Sequence, residues 1–251
     1  MSTSGKPIPT KLKHDAIIEA IFEMRFDTGT KVPEVFFGRI IEYAAWKGFD
    51  QRQMPAHEIP SLLRERDQNL RYLPIFELVD ATNHRTVRIG AQVLSFHQMV
   101  PYVGWERFKP RLVESVDALF DMADAPVVRR LGLRYINALR PDPHGIGAMS
   151  DLDLCLTVAN QVVYEHMNVN FTRELTEDML VTIRVATADL IQGSLPMDTS
   201  VLVDVDMSTK NSFSASDRSQ VTKWIDSAHS NEKEQFFRLL TDKSIDRLRE
   251  A

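Results

Sequence analysis

A single cysteine, Cys155, excludes an internal disulfide and any zinc site built on several thiolates. No window approaches the roughly 18 uninterrupted apolar residues that a membrane-spanning helix needs. Glycine is scarce, and none of the ten falls into a GxxxxGKS/T or GxGxxG phosphate loop. There is no HExxH pair to hold a metal, and Gly193 to Pro196 (GSLP) lacks the second glycine of a nucleophile elbow. Positive charge is not in excess either: 30 Lys and Arg against 35 Asp and Glu leave a net charge of −5. That balance argues against nucleic acid as the partner. Met1 to Lys13 is small, polar and basic with no apolar stretch behind it, so a secretory signal is not expected. The expectation is a flexible N-terminal arm over residues 1–14 and a cytoplasmic location.

What is present is enough apolar content, 43%, for a sizeable core. Asp15 to Asp27 alternates, with Ile18, Ala20, Phe22, Met24 and Phe26 on one side and Glu19, Glu23 and Arg25 on the other, which predicts a half-buried strand. Pro33 to Lys47 carries an apolar stripe of Phe36, Phe37, Ile40, Ile41, Ala44 and Ala45, as an amphipathic helix does. Gln51 to Gln68, interrupted by Pro55 and Pro60, reads as loop. Strands are predicted over 71–79, 85–89 and 92–99, a helix over 105–122, and a long strand over 127–139. After a linker at 144–150, residues 151–166 suit either helix or strand, with helix favoured. A hairpin over 169–187, a strand over 200–207 and helices over 216–229 and 231–249 complete the chain. These elements predict an α+β fold with mostly antiparallel strands backed by helices. It would comprise two β-rich halves, 15–143 and 144–251, the second packed on the first. The order β-α-β-β-β-α-β makes the first half ferredoxin-like-related.

Three stretches stand together in order: Ile17 to Phe26 (IIEAIFEMRF), Gly104 to Phe108 (GWERF) and Leu131 to Asn137 (LGLRYIN). With these, the chain resembles a sporadically distributed family of uncharacterised bacterial proteins of similar length. The resemblance spans nearly the whole sequence and implies no particular chemistry. A patchy distribution suits an accessory role such as a toxin–antitoxin or phage-defence module.

Arg129, Arg130, Arg134 and Arg140 fall in a stretch without acids, and Arg88 sits on a predicted hairpin. Guanidinium groups bind phosphate or carboxylate through two parallel bonds, so Arg88, Arg130, Arg134 and Arg140 are candidates for an anionic-ligand surface. Arg130 and Arg134 would stand roughly 13 Å apart along a strand, too far to grip one phosphate. The competing reading is cross-strand pairing with Glu19 and Glu23. Asp204 and Asp206 share a strand face and could hold Mg²⁺ with a substrate phosphate, or simply face water. His97 shares a face with Ser95 and Met99 and reads as a partly buried histidine with a satisfied hydrogen bond. Tyr102 to Trp105 reads as packing at a helix start, and Cys155, in an apolar run, as structural. The pattern Arg52-x4-His57, found in some RNases, is broken by Pro55. These features favour a non-catalytic binding or assembly protein without cofactors. It would hold a protein partner, a second copy or a small anion on its sheet or on a strand edge such as 127–139. The alternative is a Mg²⁺-dependent enzyme acting on a nucleotide or another phosphate compound.

Overall fold

The first strand shows why the sheet has two unlike faces. In β1 (Ile17–Asp27), Ala20, Phe22, Met24 and Phe26 are wholly buried, while Glu23 and Arg25 between them stay partly exposed. The computed structural model describes residues 8, 9, 12–29, 33–210 and 212–248. Residues 1–7, 10 and 11 of the expected N-terminal arm lie outside them. Nearer the strand, the Lys13 N–H donates to the Leu248 carbonyl at 2.9 Å.

After β1 come α1 (Pro33–Ile41), β2 (Asp50–Gln53), two short helices α2 (Ser61–Arg66) and α3 (Gln68–Arg71), β3 (Phe76–Asp80), β4 (Arg85–Ile89) and β5 (Val93–Met99). Helix α4 (Trp105–Met122) then leads to the long strand β6 (Val127–Leu139). The remainder is α5 (Pro141–His144), the hairpin β7 (Leu156–Val158) and β8 (Gln161–Val163), then β9 (Asn168–Glu174), β10 (Met179–Thr187), β11 (Val201–Thr209), α6 (Arg218–Arg238) and α7 (Asp242–Leu248). Nine strands make one sheet in the order β2-β3-β4-β5-β1-β6-β11-β10-β9, with every pairing antiparallel. The fold is therefore α+β around a large antiparallel sheet. The sheet runs unbroken from one half of the sequence into the other through the β6–β11 pair, and one apolar cluster contains residues of both. Helix α4 packs on β5, α6 packs on β6 and β11, and both helices touch each other. Among the described residues no helix is long and apolar enough to cross a membrane.

Four local expectations are corrected. Residues 151–166 form no regular α-helix: Leu152, Leu154, Leu156 and Val158 keep a period of two into the β7–β8 hairpin. Ala159 and Asn160, at φ 48° and 64°, make its two-residue turn. Gln51 to Gln68 is not mainly loop but contains part of β2, a 3₁₀ turn at Pro55–Glu58 and α2. The break between the two C-terminal helices falls at 239–241 and not at 230: α6 continues through 229–231, where neither Gly nor Pro interrupts, and is capped by Asp217 accepting from the Ser219 N–H at 2.7 Å. Strand β6 is no edge: β1 and β11 take its two sides, so it is closed to a partner strand.

Candidate functional site

The face of the sheet opposite α4 and α6 carries the charges. Its centre is a cleft of about 310 Å³ lined by Ile21, Glu23, Arg25, Pro74, Arg88, Val93, Ser95, His97, Arg130, Gly132, Arg134 and Asp206. Register assembles it. Arg88 lies opposite Ser95, Ser95 opposite Glu23, and Glu23 opposite Gly132. One row along, His97 faces Ile21, Ile21 faces Arg134, and Arg134 faces Asp206. Three of the four expected arginines, Arg88, Arg130 and Arg134, thus meet in one place together with Asp206. Arg140 does not join them: it lies just past the end of β6 and caps α5, its N–H donating to His144 Nδ1 at 2.9 Å.

Most of the charges are paired. Arg134 Nε and Nη2 donate to the two oxygens of Asp204 at 2.8 and 2.6 Å, a bidentate bond that raises the guanidinium pKa further. Arg130 Nη1 donates to Glu23 at 3.1 Å, and its Nη2 stands 3.8 Å from Asp206. The same Glu23 oxygen accepts from Arg25 Nε at 2.8 Å. Expected pairing with the β1 glutamates therefore holds for Arg130 and Glu23. Arg134 instead takes its partner from β11, on its other side. Burial pushes Asp206 up to about 6 despite the opposing charges of Arg130 and Arg134. Asp204 has both oxygens engaged, and among the described residues no three His, Cys, Asp or Glu side chains converge as metal ligands do.

Gly132 makes room for this arrangement. A Cβ there would stand 3.2 Å from Arg130 Nη1 and 3.8 Å from Asp206 Oδ1, so the guanidinium lies over the bare backbone. Four arginines reach the cleft, and the carboxylates that answer them are Glu23 and Asp206 in its lining with Asp204 and Glu77 beside it. Arg88 is the least satisfied of them. Its Nε is buried with no hydrogen-bond partner, and Glu77 Oε2 is 3.6 Å away, within ion-pair range only.

The floor holds residues that the sequence reading left in the background. Ser95 Oγ is 2.9 Å from His97 Nε2, and His97 Nδ1 is 2.8 Å from Glu19 Oε1. The spacing of Ser95 and His97 on one strand face was visible; the link to Glu19 needs the β1–β5 pairing, which no local pattern discloses. Burial alone would raise the Glu19 carboxyl, but the His97 hydrogen bond and the charges of Arg88 and Arg134 hold it below its ordinary value.

On the helix-covered face lies a second polar group. The Tyr135 hydroxyl is 3.3 Å from that of Tyr102 and 3.4 Å from His229 Nδ1, and Trp105 stacks on His229 at 3.7 Å. The aromatics at the start of α4 are thus packing residues. Glu232, one turn beyond His229, is pushed by burial up to about 8, with Lys233 opposing. Cys155 is exposed, contrary to its apolar surroundings in sequence, because its neighbours Leu154 and Leu156 take the inward face of an extended segment.

No family model matches the chain, and no curated protein is similar to it.

Proposed function

We propose that the protein binds a small anionic ligand, a phosphate- or carboxylate-bearing compound, in the cleft on the open face of its sheet. The observation that carries this reading is Arg88, which reaches the cleft beside Arg25, Arg130 and Arg134 with its Nε buried and without a hydrogen bond. A buried donor without a hydrogen bond is costly even with Glu77 in ion-pair range at 3.6 Å, and an anion entering the cleft would relieve that cost. Asp206 supports the same reading, since its raised pKa lets a proton replace its negative charge as an anion approaches. Isothermal titration with inorganic phosphate, sulfate and citrate at low ionic strength tests it. Arg88→Gln and Arg130→Gln should each weaken binding roughly tenfold or more, the loss of one charge-assisted bond. Absence of heat and of any thermal shift with all three anions would refute the reading.

Assembly with a second copy has an observation of its own. At one end of the sheet, β9 is a seven-residue edge without proline or lysine, exposing Phe171, whereas β2 at the other end has four residues. Edges of the first kind invite pairing. Light scattering on the native chain and on Phe171→Lys would show a dimer lost in the variant; a monomeric native chain would refute it.

A further inference from the structure

Ser95, His97 and Glu19 form a continuous chain of hydrogen bonds in the cleft floor, at 2.9 and 2.8 Å. Its geometry comes from the sheet. Ser95 and His97 stand two residues apart on one face of β5, and Ile21 lies opposite His97, so Glu19 reaches the imidazole diagonally from the adjacent strand. Ser95 and His97 are nearly closed off, at 6% and 5% exposure, yet both line the cleft.

The protonation pattern follows from the acceptor. Glu19, held as a carboxylate, can only accept, so the neutral imidazole carries its proton on Nδ1 and donates it to Glu19. His97 Nε2 then offers its lone pair to the Ser95 hydroxyl. A hydroxyl on a base, and that base oriented by a carboxylate, is the arrangement that activates serine nucleophiles on many unrelated folds. Arginines stand around it, held by ion pairs to Glu23, Glu77 and Asp204. Arg88 is directly opposite Ser95 across β4 and β5, and Arg130 and Arg134 close the cleft beyond Gly132.

From this geometry we infer that Ser95 is a nucleophile and that the cleft hydrolyses a small carboxylic ester bearing an anionic group, phosphate or carboxylate, near its carbonyl. The substrate class rests on the anion-binding reading above; the nucleophile does not. Ser95 Oγ attacks the ester carbonyl carbon while His97 Nε2 takes the hydroxyl proton. The carbonyl π pair moves to the oxygen, and Arg88 is the cation placed to stabilise that oxyanion. Collapse breaks the bond to the leaving alkoxide, which takes the proton from His97 and departs as the alcohol. Water then attacks the acyl-serine, giving its proton to His97, and Ser95 leaves with that proton restored. The net change is ester plus water to acid plus alcohol. Glu19 is a positioning residue: it fixes the tautomer and stabilises the imidazolium.

The test uses the full chain, a fluorophosphonate probe with peptide mapping, and two esters, p-nitrophenyl acetate and p-nitrophenyl hydrogen succinate. The probe should label Ser95, and Ser95→Ala should abolish both labelling and hydrolysis. The succinate half-ester should be cleaved with roughly tenfold or higher kcat/KM than the acetate, a preference that Arg88→Gln erases. Glu19→Gln should lower kcat/KM and alter its pH profile, which a merely structural hydrogen bond would not do. Should Ser95→Ala fold poorly, Ser95→Cys serves as an independent readout, since a thiol on His97 should react with iodoacetamide faster than Cys155 does. Anion binding without probe labelling of Ser95 would overturn this inference and leave the binding reading standing. Labelling with equal rates on both esters would overturn the substrate class and count against the anion site.

Discussion

Glu232→Gln should make the protein progressively more stable than the native chain as pH rises. In the native fold burial raises the Glu232 carboxyl from 4.5 to about 8, so the folded state holds a proton that the unfolded chain has released. The contribution of a group raised in this way is fully present below about pH 4.5 and is lost as pH rises through about 8. Over that whole window the loss amounts to about 5 kcal/mol, at about 1.4 kcal/mol per pH unit. Other groups titrate nearby. Burial, helped by neighbouring positive charge, depresses His144 and His229 to about 4, and Asp206 is raised to about 6. These are common to both chains and cancel in the difference. Glutamine keeps the shape and carries no charge, so its constant cost in hydrogen bonding also drops out of the pH dependence. The stability difference between variant and native chain should therefore grow by about 2 kcal/mol between pH 6.5 and 8.5. Urea unfolding at matched ionic strength measures it, with tryptophan emission as the probe because Trp105 stacks on His229 in this region. A difference constant to within about 0.5 kcal/mol across that range would mean that Glu232 is ionised in the fold, and the reasoning would fail.

Gly132→Ala should leave the melting temperature nearly unchanged while weakening phosphate binding roughly tenfold, because the new methyl stands 3.2 Å from Arg130 Nη1 and moves the guanidinium; calorimetric titration checks it. Arg134→Met should cost about 2–3 kcal/mol in urea unfolding, since it strands the Asp204 carboxylate, 7% exposed, without its bidentate partner; the half-open position of Arg134 keeps the loss below that of a fully buried pair. Asp204→Leu combined with Arg134→Met should recover much of that loss. Gly90→Ala should cost about 2 kcal/mol or more by the same assay, because its Cβ would fall 2.5 Å from the Leu73 carbonyl oxygen and 2.6 Å from Val93 Cγ1.

The parts of this fold that could be read in sequence are those fixed by one strand or one helix. Ala20, Phe22, Met24 and Phe26 announce their burial by alternation alone, and Phe108, Leu112, Val116 and Leu119 announce the inner side of α4. The candidate site is of another kind. Arg134 meets Asp204 only because β6 neighbours β11, and His97 meets Glu19 only because β5 neighbours β1. Both pairings join strands far apart in the chain, and period-two patterns are equally compatible with other strand orders. Residues 151–166 failed differently. Their alternation was present, but Ala159 and Asn160 carry the turn without glycine, so the usual hairpin punctuation was missing. Arg140 shows the limit of face arguments: the parity of β6 ends where the strand ends, at Leu139.

The sheet separates two kinds of chemistry that could otherwise interfere. Glu232 and His229 on α6 and Tyr135 on β6 lie on the covered face, where their unfavourable burial contributes to the pH dependence of folding. Arg88, Arg130, Ser95 and His97 lie across the sheet on the open face. Side chains on opposite faces point away from each other, and groups more than about 7–10 Å apart with no shared partner act almost additively. Substitutions on the open face can therefore be read as changes in recognition or chemistry, with two exceptions. Arg134 and Asp204 are one, since Asp204 is buried and its charge must be answered wherever the ligand is. Ser95 is the other, because its side chain is buried against His97. Arg88 and Arg130 are partly exposed and answer carboxylates that are partly exposed too, so a function lost there is less easily mistaken for a lost fold.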